Sequence, residues 1–222
     1  MKIIIIGGGK IGYYLAKTLI PFKHDITLIE EQKELCIKVA NELNINVLSG
    51  DGTNIEILTE AKASEANVFI AVSGKDEVNL IACQLAKRNF GVKRTISRVN
   101  NPKNISVFET LGVDFAVSST SIIADLIEQE VDYSGMKTLM KIRNSNLILS
   151  EIQITKNSPI NNKSLKEINI PRDCILVSVI RAEEVIIPNG YTIIKDNDLI
   201  ITVSSKEDEE EIKRYFIGGL LK

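Results

Sequence analysis

Apolar positions in the first part of the chain fall into short β-branched runs, separated by longer segments in which they recur at helical spacing. The runs Lys2–Ile6, Asp25–Glu30, Asn46–Ser49, Val68–Ser73, Arg94–Val99 and Phe115–Ser118 read as strands. Helical periodicity occupies Ile11–Leu19, Glu34–Leu43, Ile55–Ala61, Val78–Phe90, Ile105–Leu111 and Ile122–Val131. Strands that alternate with helices predict a doubly wound parallel sheet, because each parallel connection must cross back over the sheet.

Past Val131 the rhythm changes. Asp132-Tyr133-Ser134-Gly135 reads as a linker, and Leu147–Thr155, Ile175–Arg181, Val185–Ile187 and Leu199–Val203 read as strands joined by turns at Pro188-Asn189-Gly190 and Lys195-Asp196-Asn197-Asp198. Glu207–Phe216 closes the chain as a helix whose acidic first turns complement the positive end of its dipole. The expectation is an α/β domain over residues 1–134 and a small α+β carboxyl-terminal domain over residues 136–222.

Composition narrows the function. The 222 residues, 44% hydrophobic and 25% charged, match an ordinary globular chain. Up to Gly135 there are 14 basic and 17 acidic residues and afterwards 13 and 12, so neither half offers the basic footprint that nucleic acid requires. Apolar runs such as Ile3–Ile6 fall far short of a bilayer span and no signal-peptide core follows Lys2, so a cytosolic chain without direct membrane insertion is expected. Cys36, Cys83 and Cys174 form no CxxC pair and His24 is the only histidine, so no local metal site is expected. Cys83 and Cys174 fall in apolar patterns suited to buried thiols.

Gly7-Gly8-Gly9-Lys10-Ile11-Gly12 places G-x-G-x-x-G directly after a strand and at the start of a helix. In a Rossmann-like unit the glycines supply the tight turn, let a pyrophosphate approach the backbone, and let the helix pack closely on the sheet, while the freed amides meet phosphate charge. The same glycines would also suit a bare strand-to-helix turn. Glu30 ends the second strand 18 residues beyond Gly12, where such a unit places the acid that accepts from the adenosine ribose hydroxyls and repels a 2′-phosphate. Asp51, Gly52 and Thr53 follow the third strand at the same edge, either near an adenine or as a local cap. Val72-Ser73, breaking into Gly74-Lys75-Asp76, brings backbone amides to the crevice. Arg98 ends the fifth strand, placed for phosphate, ribose or a structural ion pair, and Lys10 either reaches a terminal phosphate or faces water.

Several segments resemble the regulator-of-potassium-conductance (RCK) domain of the Trk and Ktr potassium-uptake systems. They are Gly50-Asp51-Gly52-Thr53 with Leu58-x-Glu60-Ala61, Ala66-Asn67-Val68-Phe69-Ile70-Ala71-Val72, and Asp76-Glu77-Val78-Asn79-Leu80-x-Ala82-Cys83-Gln84-Leu85-Ala86-Lys87. Glu151-Ile152, Ser164-Leu165-Lys166-Glu167, Arg181, Ile187-Pro188-Asn189-Gly190 and Asp196-Asn197-Asp198-Leu199-Ile200 are similar to that family's carboxyl-terminal domain. The resemblance implies a cytosolic regulatory subunit that binds NAD(H), ATP or ADP. Its nucleotide contacts would fall on Gly7 to Ile11, Glu30, Asp51 to Thr53, Val72-Ser73 and Arg98. It further implies dimers joined into a ring, eight subunits being the expected number, docked on an integral membrane potassium transporter. A second small ligand of the carboxyl-terminal domain, such as a cyclic dinucleotide, is known in related systems. Lys10 stands where Ktr-type members carry arginine and Trk-type members glutamine, and Ser119-Thr120 replaces a Pro-Glu whose glutamate helps hold a cation.

Three classes of function follow: a nucleotide-sensing regulator of a cation transporter, an NAD-dependent oxidoreductase, or a free-standing sensor with another partner. The enzyme reading lacks an acid-base group at the strands' carboxyl edge, since His24 precedes the second strand, and no catalytic residue is assigned. Ile123, Leu126, Ile127 and Val131 share a helix face that either covers the amino-terminal sheet or crosses to a neighbouring subunit.

Overall fold

The computed structural model describes residues 1–131, 135–142 and 145–218, apart from the side chains of residues 129 and 130. Of the expected linker, positions 132–134 lie outside the described residues, and Gly135 directly precedes the next strand. The chain divides into two compact units, Met1–Ala124 and Asp125–Lys222.

In the first unit β1 (Lys2–Ile6), α1 (Lys10–Leu19), β2 (Asp25–Glu30), α2 (Lys33–Glu42), β3 (Asn46–Ser49), α3 (Ile55–Glu60), β4 (Val68–Ala71), α4 (Asp76–Arg88), β5 (Arg94–Arg98), α5 (Ile105–Thr110) and β6 (Phe115–Val117) alternate as the periodicity predicts. α6 (Ser119–Val131) begins in this unit. The sheet is wholly parallel in the order β3-β2-β1-β4-β5-β6, so the chain direction across the sheet reverses between β1 and β4. Alternate residues of β1 enter different cores: Ile4 and Ile6 pack with Phe69, Leu58, Ala82 and Phe108, and Ile3 and Ile5 with Ala16, Leu28, Val39 and Leu43. Two-sided burial is why Ile3–Ile6 carries no polar alternate. Truncating a fully buried isoleucine such as Ile4 or Ile5 to alanine would cost about 2–5 kcal/mol.

The second unit is an antiparallel sheet of β7 (Met136–Lys141), β8 (Leu147–Gln153), β9 (Cys174–Arg181), β10 (Glu184–Ile186) and β11 (Leu199–Ser205), in the order β10-β9-β11-β8-β7. α7 (Glu209–Ile217) buries Ile212 and Phe216 in its core; it starts two residues later than the expected Glu207, which lies with Asp208 in a 3-10 turn, so Glu209, Glu210 and Glu211 are the acidic residues of its first turn. Asp198 is fully buried, and Arg181 pairs with it through two hydrogen bonds of 2.7 Å. β7 was not anticipated, because Lys137 and Lys141 interrupt any apolar alternation in Met-Lys-Thr-Leu-Met-Lys. The strand expected to run to Ser73 ends at Ala71, where its register with β5 stops; the Val72 N–H still donates to the Ile6 carbonyl at 2.9 Å before the chain turns toward α4. The thiols of Cys36, Cys83 and Cys174 are all buried, and burial pushes that of Cys83 up to about 12.

Candidate functional site

At the carboxyl ends of β1 and β4 the reversal of strand order leaves a cleft of about 690 Å³. Gly7 makes the turn out of β1 with φ +101°, and a Cβ there would stand 2.9 Å from the Ser73 amide nitrogen, so only glycine fits. A Cβ on Gly12 would fall on the carbonyl oxygen of Gly7, which lets α1 start hard against the turn. Gly9 is the N-cap of α1, no side chain caps that end, and a Cβ on Gly9 would point into open space. The first turn of α1 therefore offers free amides and the positive end of a helix dipole to the cleft.

Glu30 closes one flank and is 9% exposed. Its Oε2 accepts from the Gly8 amide at 2.6 Å and its Oε1 from the Gln32 amide at 2.9 Å. Two amides thus aim the carboxylate, and each oxygen keeps a further acceptor position. A recess of about 150 Å³ continues past Glu30 to Gly50, Asp51 and Gly52. Asp51 Oδ1 accepts from the Thr53 amide and hydroxyl, both at 2.8 Å, so the local-cap alternative describes Asp51 and Thr53. Of that trio, Asp51 and Gly52 line the recess and Thr53 does not.

The other flank is cationic. Lys10, Lys75 and Arg98 line the cleft, and none is in an ion pair among the described residues. The buried Nε of Arg98 has no hydrogen-bond partner, so the structural-ion-pair alternative is not the arrangement seen. Not all the expected amides are free: Ser73 N–H goes to Asn79 Oδ1 at 2.9 Å, and Lys75 N–H to Ser73 Oγ at 3.2 Å. Asp76 braces the next loop by accepting from the amides of Asn100 and Asn101 and from the side chains of Asn100 and Asn104. Burial raises its carboxyl, but these bonds outweigh burial and hold it below the ordinary carboxylate value. Thr120 donates to the Asn100 carbonyl at 3.3 Å.

Gly7, Gly9, Lys10, Ile11, Glu30, Val72, Ser73 and Arg98 thus meet at one cleft, whereas Gly8 and Gly12 act behind it as bond donor and close-packing point. Sequence reasoning passed over Gln32, Leu35 and Val78 as lining residues and Asn79 as the support of Ser73, and it used Lys75 only for its backbone. Glu31, the acid next to Glu30, also lines the cleft. A residue just past a Rossmann acid, or in the first turn of the helix after the fourth strand, faces the same cleft; that position was the available signal.

The Rossmann-like sheet with a glycine turn at its switch point, followed in one chain by an antiparallel α+β unit, is the fold of the GsuK RCK domain, which aligns with a TM-score of 0.65 at 16% identity over all of this chain and 48% of that one. The TrkA-N domain model matches residues 3–119 and the TrkA-C domain model residues 149–217. The chain belongs to the TrkA family. It is 33% identical over 221 residues to the Trk system potassium uptake protein TrkA of Mycobacterium tuberculosis, covering 99% of this chain and 100% of that one. It is 30% identical to a TrkA homolog of Methanothermobacter thermautotrophicus, covering 98% and 100%. The NAD-bound GsuK channel aligns with a TM-score of 0.70 at 19% identity over all of this chain, which spans 40% of the channel polypeptide. ADP-bound GsuK aligns at 0.52 and 25% identity, over 60% of this chain and 34% of that one. Among the described residues no helix is long and apolar enough to cross a membrane.

Proposed function

We propose that this protein is the nucleotide-binding regulatory subunit of a membrane potassium transporter, acting by binding rather than by turnover. The observation that carries the reading is the polarity of the cleft. A carboxylate aimed by two amides stands at one flank, and an uncapped helix start with Lys10, Lys75 and Arg98 stands at the other. Adenosine suits the first flank and phosphate the second. The bound NAD and ADP of the GsuK structures support the same ligand class. NAD(H), ATP and ADP are the proposed ligands. NADP is disfavoured, because its 2′-phosphate would meet Glu30.

The roles proposed for the site residues follow the two flanks. Glu30 holds the ribose, Asp51 and Gly52 border the adenine, Gly7 to Ile11 cradle the phosphates, and Val72, Ser73 and Arg98 border the distal end. Gly8 anchors Glu30, Gly12 seats the helix, and Thr53 supports Asp51. The functional domains proposed are residues 1–134 and 136–222, the second open to a further small ligand. The TrkA names of the relatives support a potassium-uptake system, with an integral membrane subunit as partner and the cytoplasmic face of the membrane as the site of action.

Assembly into dimers and a ring, eight subunits being the proposed number, is supported by α6. Ile123, Leu126, Ile127 and Val131 on that helix are each more than half exposed in the single chain. A ligand that prefers one arrangement of such an assembly would shift it and thereby the pore. Calorimetric titration with NAD, ATP, ADP and NADP tests the binding core of the proposal. Tight binding of the first three and weak binding of NADP is expected; absence of binding by all four would refute it.

A further inference from the structure

Asn79 is completely buried in the first turns of α4, yet it lines no part of the cleft. Its side-chain amide makes three hydrogen bonds. Oδ1 accepts from the Ser73 amide at 2.9 Å, while Nδ2 donates to the Ser73 carbonyl at 3.1 Å and to the Arg98 carbonyl at 3.0 Å. Both Nδ2 hydrogens are used, and the order of acceptor and donors matches a primary amide and no other side chain of similar size.

These bonds fall where the sheet needs them. The register between β4 and β5 ends at the Ala71–Ser97 pair. Beyond it the Ser73 and Arg98 main chains have no partner in each other, and the side chain of Asn79 takes the place of the missing rungs. Ser73 and Arg98 both line the cleft. Ser73 is also the group on which the glycine turn rests, since a Cβ on Gly7 would stand 2.9 Å from its nitrogen and 3.0 Å from its Cα. One buried amide therefore ties the seat of the glycine turn to the root of Arg98, whose carbonyl also accepts from Ser97 Oγ at 3.0 Å and whose other side pairs with Val117 of β6.

Resting on the nucleotide-binding reading above, we infer that Asn79 is a positioning residue for the phosphate-side half of the cleft, acting through Ser73 and Arg98 without touching the ligand. The Glu30 flank is held by other bonds, those of Gly8 and Gln32, so Asn79 governs ligands in proportion to how far they extend beyond the first phosphate. A merely structural asparagine would lower stability and weaken every ligand alike.

The test compares AMP with ADP and NAD by calorimetry on the full chain, in wild type, Asn79→Ala and Asn79→Asp. In Asn79→Ala, AMP affinity should stay within about twofold of wild type, while ADP and NAD should weaken by about tenfold or more, the scale of a buried hydrogen-bond set left unmade. Asn79→Asp keeps the acceptor for Ser73 but turns a carboxylate on two carbonyls. Its NAD affinity, taken relative to wild type, should recover from about pH 8 to about pH 5.5, because the neutral acid regains a donor. If Asn79→Ala does not fold, this pH profile decides the matter. Equal weakening of AMP and NAD, no weakening of either, or an Asn79→Asp ratio indifferent to pH would overturn the inference. A wild-type protein that binds none of the three overturns the underlying reading and this inference with it.

Discussion

Replacing Glu30 with alanine separates two consequences that the geometry ties to one carboxylate. The first is local: the amides of Gly8 and Gln32 lose their acceptor. The Gln32 amide sits at the cleft, where water can reach it, whereas the Gly8 amide is buried, so the loss falls toward the lower end of about 1–3 kcal/mol for the first and toward the upper end for the second. The second is on binding: the two acceptor positions that remain on the carboxylate match the vicinal hydroxyls of a ribose. A hydrogen bond to a charged acceptor is worth about 1.5–3 kcal/mol, so losing even one lowers NAD affinity by about 10- to 150-fold. Selectivity changes along with affinity. NADP is repelled by the same charge, so the variant should bind NAD and NADP with nearly equal affinity. Calorimetry at one fixed salt concentration, with thermal melts to establish that the variant is folded, reads both effects. A folded Glu30→Ala protein that retains wild-type NAD affinity and still rejects NADP would refute the placement of the ribose.

Three further outcomes follow from individual contacts. Gly12→Ala drives a methyl into the Gly7 carbonyl and should cost about 1–3 kcal/mol, read as a lower urea midpoint; an unchanged midpoint would show that the turn yields freely. The Asp76 carboxyl is held below its unfolded value of 3.8, so the stability it contributes is complete above that pH and is lost as pH falls through the lower folded value. Asp76→Asn should therefore melt lower than wild type at neutral pH and converge with it in acid; a constant gap would contradict the assignment. Paired Leu126→Glu and Ile127→Glu changes should reduce the particle mass measured by light scattering, whereas an unaltered mass would remove α6 from the assembly contacts.

Much of the first unit is legible because parallel strands buried on both faces leave uninterrupted apolar runs, as in Ile3–Ile6, and their crossover helices supply the other period. β7 was illegible for the opposite reason: Lys137 and Lys141 break its apolar pattern, a register shift between Thr138 and Met140 breaks its alternation, and its burial fades along the strand. Glycine spacing and the acid ending β2 are local signals, so they pointed to the cleft at once. Asn79 is not local in that sense. Its partners lie 6 and 19 residues away and meet it only once β4 and β5 are side by side, which no periodicity encodes. The local bonding of Asp51 was foreseeable as an alternative, since aspartate two residues before a threonine offers its own turn, and spacing alone does not choose between a turn and a ligand.

The central claim is that nucleotide occupancy of this cleft controls ion movement through a partner. Its most direct measurement is rubidium uptake into vesicles that carry the membrane subunit co-expressed with this protein, recorded with NADH, NAD, ATP, ADP or no nucleotide inside. The account predicts uptake that changes with the nucleotide present and a response abolished in Glu30→Ala. Uptake of equal rate under all five conditions, in vesicles where the two proteins remain associated, would contradict it.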